Sequence, residues 1–357
     1  MGYHLIFEKI SFCDPASGRR EGGGVSKTYG AQNQPGRRPT ARPYPVEARN
    51  LESGWVSRMV AGMLTIEHLA ALVDAHRNEA SARVKEFELA GREFRFNSEP
   101  FLMGVINLSG DSWYRESVCI GTDAAIERGR VLHAQGAHIV DVGAESTLAQ
   151  ARRVEGAEQR SVLVPIVKEL RRERILVSVE TYQASVAKAC LEAGANVLNL
   201  TGSAANEEIF RMVGANGAAV IICYVQGPNV REVGDFNFTE DPVALMLDYF
   251  REQIEMATRN GVNKILVDPG LGFYYRNLQD SATRVRHQMQ VFLNSFRLRR
   301  LGYPICHALP HAFEFFQEEV RCAEPFFAVL AALGKTDLFR THEVPRTRAV
   351  LRTLECF

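Results

Sequence analysis

Eight short apolar runs set the limits on what this chain can fold into. FLMGVIN (101–107), HIVDVG (138–143), ILVSVE (175–180), NVLNL (196–200), AAVIICY (218–224), KILVDPG (264–270), YPICHA (303–308) and DLFRTH (337–342) alternate with stretches of helical periodicity. Runs that are apolar on both faces suit parallel strands covered by helices. The intervening segments TDAAIERGRVLHAQ, GAEQRSVLVPIVKELRRE, YQASVAKACLEA, DPVALMLDYFREQIEMATRN and EPFFAVLAALG carry apolar residues at i, i+3 and i+4. Gly136, Gly194, Gly217, Gly261, Gly302 and Gly334 stand just before runs, where helix C-caps belong. Eight such units with short connections predict an α/β protein, a (β/α)8 TIM barrel over residues 98–357. An open doubly wound sheet is the alternative, but it would want a GxGxxG turn after its first strand, and GVINLSGDS is not one.

Upstream of the barrel the pattern changes twice. LTIEHLAALVDAH has helical spacing and EFELAGREFRF predicts a hairpin turning at Ala90-Gly91, so residues 56–97 are expected to form a helix and hairpin cap over one end. Residues 1–55 are rich in Gly, Pro and Arg and poor in aliphatics, which predicts a disordered tail unable to offset its ordering entropy. Lys plus Arg and Asp plus Glu both number 42, and no long basic stretch exists to track a phosphate backbone, so no nucleic-acid partner is expected. The seven cysteines show no CxxC spacing, which argues against a zinc ribbon or disulfide framework. No apolar run approaches the roughly 18 residues of a membrane span, and Glu8 interrupts the first ten residues where a signal peptide needs its apolar core. A cytoplasmic protein without membrane contact is expected.

In such a barrel the polar residue ending each strand is the informative one, because the active site is built there. The ends are Asn107, Asp141 with Glu145, Glu180, Asn199, Tyr224 with Gln226, Asp268, His307, and Arg340 with His342. Any one of them could simply start a loop; eight around one mouth point to a site. Glu180, Asn199 and Asp268 combine acceptors with an amide, the set that reads the NH2, ring NH and ring nitrogen edge of a flat heterocycle such as a pterin or purine. Arg340 can stack on such a ring or hold an anion, and His342 shares its inward side. Asn107 can offer an oxygen to a Mg2+ that a diphosphate would also hold. A metal-only hydrolase is disfavoured, with only His307 and His342 as imidazole candidates.

MGVINLSGDSW, IVDVGAEST, VSVETYQASVAKACLEAGANVLNLTG, VQGP, VDPGLGF and RTHEV, in that order over about residues 100–355, resemble the motifs of dihydropteroate synthase. That family is a (β/α)8 barrel that joins 6-hydroxymethyl-dihydropterin diphosphate to p-aminobenzoate in folate synthesis, releasing diphosphate. The resemblance implies that Glu180, Asn199 and Asp268 face the pterin, and that Asn107, Arg340 and His342 serve the diphosphate and its Mg2+. It also puts Gln226 and Phe273 among the substrate-binding residues, and Asp111, Ser112 and Thr147 in two mobile loops. A homodimer through the late helices is a further expectation, with HQMQVFLNSFRLRRLG and FFAVLAALG as apolar faces.

Departures from the family pattern touch the chemistry. Where the family has Ser-Thr-Arg-Pro-Gly, this chain has Ser146, Thr147, Leu148, Ala149 and Gln150; Gly110 stands for a Pro, Glu180 for an Asp, Leu200 for an Asp, and Tyr274-Tyr275 for Gly-Lys. The Ser-Arg-Lys after the seventh strand is absent, leaving His307 and His311. Losing a charge-assisted contact costs roughly 1.5–3 kcal/mol, so two missing cations predict impaired turnover of the ordinary substrates. Tyr274, Tyr275, Phe313, Phe315 and Phe316 suggest either a replaced acceptor pocket or ordinary packing. Three readings stand: an unusual dihydropteroate synthase, a diverged transferase with another substrate pair, and a non-catalytic pterin-binding homologue.

Overall fold

The computed structural model describes residues 63–110, 117–147, 151–239, 241–273 and 275–357. The chain divides after Asn50, and the account below concerns the unit Leu51–Phe357. The tail expected over residues 1–55 and the first residues of the cap lie outside the described residues.

All eight apolar runs form strands: β3 (Phe101–Asn107), β4 (Ile139–Gly143), β5 (Val177–Thr181), β6 (Val197–Leu200), β7 (Ala219–Cys223), β8 (Lys264–Asp268), β9 (Cys306–Ala308) and β10 (Leu338–Thr341). They pair in parallel in the order β8-β7-β6-β5-β4-β3-β10-β9. A single parallel bridge, Val267 to Ile305, closes the ring, with the Val267 amide donating to the Pro304 carbonyl at 3.0 Å. Closure excludes the open doubly wound sheet. Around the barrel run α3 (Thr122–Ala134), α4 (Gly156–Arg172), α5 (Ala184–Glu192), α6 (Asn206–Ala215), α7 (Ala244–Arg259), α8 (Ser281–Asn294), the short α9 (Phe313–Phe316), α10 (Ala323–Leu333) and α11 (Val344–Leu354). None of the described helices is long and apolar enough to cross a membrane.

The two-residue period of a strand sorts these side chains into two cores. Leu102, Val140, Val142, Val179, Leu198, Val220, Val267 and Phe339 point outward and pack under the helices. Met103, Ile139, Val197, Ile221, Leu266, Cys306 and Leu338 point inward. A hairpin, β1 (Phe87–Leu89) with β2 (Arg92–Phe94), joins the inward cluster through Leu89 and Phe94, together with Phe96 and Phe101. The Phe94 and Phe101 rings lie 4.6 Å apart. Nearby, Arg299 meets Asp337 at 2.6 Å and also donates to Asn97 Oδ1 and the Ala82 carbonyl, tying the segment that carries the hairpin to the barrel. The N-terminal end of the barrel is thereby plugged. Two helices precede it, α1 (Ile66–Ala75) and α2 (Arg77–Ser81).

Of the six glycines expected to cap helices, five adopt positive φ; Gly334 does not, at φ −82°. Its reason is space rather than turn geometry, since a Cβ there would sit 1.8 Å from the Phe292 carbonyl oxygen, and the left-handed conformation falls on Lys335 instead.

Candidate functional site

At the opposite end the inward positions are polar. Asp141, one register step below Gly143 on β4, is fully buried; its Oδ2 accepts from Arg340 Nε at 2.7 Å and from Asn199 Nδ2 at 3.2 Å. Its Oδ1 is buried without a hydrogen-bond partner. Arg340 Nη2 also donates to Glu180 at 2.5 Å, so one guanidinium joins two carboxylates. Asp268 lies in the same buried layer, with its Oδ1 accepting from the Gly270 amide at 2.8 Å, and the Cys223 thiol donates to Asn199 Oδ1 at 3.4 Å. Three carboxylates thus surround one cation. Burial pushes the Glu180 carboxyl up, opposed by Arg340 and reinforced by Asp141 and Asp268. Burial likewise pushes Asp268 up to about 6, against the Gly270 amide and Arg340. The Arg340 guanidinium stays charged, since Asp141 and Glu180 overcome its burial.

Above this floor opens a cavity of about 180 Å3. Asn107, Thr147, Glu180, Phe273, Arg340 and His342 all line it. Asn107 and His342 are neighbours, 3.3 Å from Asn107 Nδ2 to His342 Nε2, and Asn107 also bonds the Ser117 hydroxyl at 2.7 Å. His342 Nδ1 lies 2.7 Å from Glu324 Oε1. Burial disfavours the charge on Glu324, but His342, His311 and the Thr341 hydroxyl outweigh it and hold the carboxyl down to about 2. Burial holds the His311 imidazole down to about 4.

The remaining expected residues fall elsewhere. Asn199 and Asp268 belong to the floor and do not line the cavity itself. The Gln226 side chain is spent on its own loop, donating to the Tyr224 hydroxyl and accepting from the Asn237 amide at 2.6 Å. His307 is a correction. It sits at an outward position of β9, fully buried, with its ring 4.6 Å from Phe292 and neither ring nitrogen hydrogen-bonded. On that strand the inward positions are Cys306 and Ala308, so a residue chosen for ending a run had the wrong parity. Burial pushes its pKa down to about 3. Of the aromatic group, Phe313 lines the cavity, whereas Tyr275 is buried, Phe316 packs against the helical core and Phe315 is exposed. Asp111, Ser112, Leu148, Ala149, Gln150 and Tyr274 lie outside the described residues.

Sequence reasoning missed three polar groups at this mouth. Arg284 and Gln288 line it from α8, and Arg284 is paired with Glu314 at 2.9 Å. The i, i+4 spacing of Arg284 and Gln288 on a half-apolar helix was the available signal. Gln288 donates to the Leu271 carbonyl at 3.1 Å while its Oε1 has no partner. Glu324, in the first turn of α10, is legible only once the fold brings it under His342.

Known proteins match this chain in sequence and in fold. Residues 103–308 match the family described as Pterin binding enzyme. Dihydropteroate synthase of Clostridium beijerinckii is 30% identical over 225 residues, covering 61% of this chain and 77% of that one. The Synechocystis sp. dihydropteroate synthase is 29% identical over 216 residues, 59% of this chain and 72% of that one. Among solved structures, Yersinia pestis dihydropteroate synthase with a sulfonamide drug complex superposes with a TM-score of 0.64 at 22% identity, covering 76% of this chain and 98% of that one. The Xanthomonas albilineans enzyme with 4-aminobenzoic acid gives 0.63 at 24% identity, with the same coverage. The class that barrel and family match define is the pterin-binding (β/α)8 barrel. Within it, this chain belongs to the dihydropteroate synthase family.

Proposed function

We propose that the protein is a dihydropteroate synthase-like transferase joining a pterin-methyl diphosphate, or a related heterocycle, to an amine-type acceptor. The observation that carries this reading is the surplus of buried acceptors over donors on the floor: Asp141 Oδ1 unpartnered, Glu180 and Asp268 destabilised as anions, and one guanidinium among them. A ligand bringing ring NH and NH2 donors supplies what is lacking, and each satisfied group is worth about 1–3 kcal/mol. In the reaction the acceptor nitrogen attacks the exocyclic methylene carbon as its C–O bond to diphosphate breaks. Asn107 is the residue that would hold Mg2+, a hard ion that keeps several waters and needs few protein oxygens beside the phosphates. When bound, the ion neutralises charge on the leaving diphosphate. Thr147, Phe273 and Phe313 would flank the acceptor, and Asp111 belongs to the first loop.

One observation favours an altered acceptor over p-aminobenzoate. Among the described lining residues the arginines are Arg284 and Arg340, both already paired with carboxylates, and the strand β9 end contributes Ala308, Leu309 and Pro310 rather than a cation. Slow diphosphate release and weak sulfonamide binding are expected. Incubation with 6-hydroxymethyl-dihydropterin diphosphate, Mg2+ and a panel of amines, thiols and water, followed by mass spectrometry, tests the reading. Efficient dihydropteroate formation would refute the altered acceptor, and tight pterin binding with no diphosphate release would support the non-catalytic alternative.

A cytoplasmic homodimer completes the proposal. Phe326 and Leu333 lie two turns apart on α10 and stay 42% and 52% exposed, an apolar face suited to a second copy. The described cysteines are all free, in keeping with a reducing compartment. Sedimentation of a monomer at high concentration would remove the dimer.

A further inference from the structure

We propose that His311, Glu324 and His342 form a binding site for a borderline divalent metal ion of the Zn2+ class, separate from the Mg2+ that Asn107 would hold. The three side chains come from three elements, the loop after β9, the first turn of α10 and the residue following β10, and their ligand atoms all lie within 4.8 Å of one another.

The two oxygens of Glu324 divide their labour. Oε2 accepts from the His342 amide at 2.9 Å, the Glu343 amide at 3.1 Å and the Thr341 hydroxyl, which anchors the carboxylate to the backbone after β10. Oε1 is turned the other way, 2.7 Å from His342 Nδ1 and 3.8 Å from His311 Nδ1. Anchoring alone requires only the first oxygen. A tetrahedral ion with bonds near 2.1 Å separates its ligands by about 3.4 Å, and the two observed distances bracket that edge. Two imidazoles and one carboxylate are a donor set for Zn2+, Co2+ or Fe2+ and a poor one for Mg2+.

The surroundings fit a metal with an open position. Both histidines line the cavity while Glu324 lies behind them, so a fourth ligand would come from the cavity side. His342 Nε2 has the Asn107 side chain 3.3 Å away while Nδ1 faces Glu324 Oε1, so a ring with its proton on Nε2 presents Nδ1 to the ion. An ion here stands beside the group that would hold the diphosphate's Mg2+, and it would supply positive charge where the resemblance expects an arginine and a lysine that this chain lacks. That role, unlike the site itself, rests on the function proposed above.

Chelator-stripped full-length protein titrated with Co2+ alone, followed by visible absorption, reads the site directly. Wild type is expected to bind one ion with a tetrahedral spectrum that Zn2+ displaces and Mg2+ does not. His311→Ala should weaken binding by more than about 100-fold, beyond what loss of an outer partner costs. Because His311 borders the cavity, this variant avoids the risk that Glu324→Gln, which touches the backbone anchor, simply fails to fold. Absence of the spectrum, or unchanged affinity in His311→Ala, would overturn the site. Pterin calorimetry on the same metal-free protein reads the proposed function separately, so either can fail alone.

Discussion

The two ends of the barrel are built from the same eight strands and solve opposite problems. At the N-terminal end Phe94, Phe96 and Phe101 fill the opening, and the buried pair Arg299–Asp337 has its spare atoms used: Asp337 Oδ2 accepts from the Ile305 amide at 2.7 Å and Arg299 reaches Asn97. At the C-terminal end Asp141 and Glu180 share Arg340, Asp268 lies in the same layer, and an acceptor is left over. The first arrangement is complete without a ligand, whereas the second is complete only with one. Polar satisfaction, more than hydrophobicity, therefore marks which end carries function.

Arg340→Met gives the largest expected effect on this contrast. Removing the guanidinium that Asp141 and Glu180 share should cost about 3–5 kcal/mol of stability in chemical denaturation and abolish pterin binding. Retained binding by calorimetry would mean the floor recognises its ligand without the guanidinium. Phe94→Ala at the plugged end should cost about 3 kcal/mol yet leave pterin affinity of the folded protein unchanged, and a parallel loss of affinity would break the separation of the two ends.

Asp268→Asn is expected to weaken pterin binding by roughly 1.5–3 kcal/mol, with equal affinity in the two proteins pointing to a repurposed pocket. Its stability carries a pH signature too. The folded pKa of Asp268, about 6, lies above the unfolded value, so the folded state holds the extra proton between the two and wild type loses stability through this group as pH rises. Stability of Asp268→Asn relative to wild type should climb from about pH 4 to about pH 6. A flat difference would place the carboxylate in an ordinary solvated setting.

The smallest effect separates a shell residue from a site residue. His307→Leu removes two buried ring nitrogens without partners and should gain about 1 kcal/mol while leaving pterin binding intact. Its folded pKa of about 3 lies below the unfolded value, so wild type loses stability through this group as pH falls. The variant should therefore gain on wild type from about pH 6.5 down to about pH 3, the reverse of the Asp268→Asn slope. Destabilisation at every pH would show that the imidazole does structural work.

Periodicity alone specified much of this protein. Both-face apolar runs such as ILVSVE cannot be solvated, and eight of them between amphipathic segments leave few ways to bury every face, so the strands, the hairpin at Ala90-Gly91 and the polar ring at the strand ends were legible in the chain. Local pattern also reaches its limit there. Whether a strand end faces the cavity depends on parity, and parity is fixed only when neighbouring strands pair in register: Cys306 opposite Leu338 sends His307 outward and Arg340 inward. Gly334 caps α10 as expected, but at negative φ, and what demands a glycine there is the Phe292 carbonyl that crowds it from another helix. Glu324, Arg284 and Gln288 sit on helices whose faces meet the mouth only after the barrel closes. A sequence records which side chains must leave water, whereas which polar groups then converge is a matter of distances that only the assembled barrel sets.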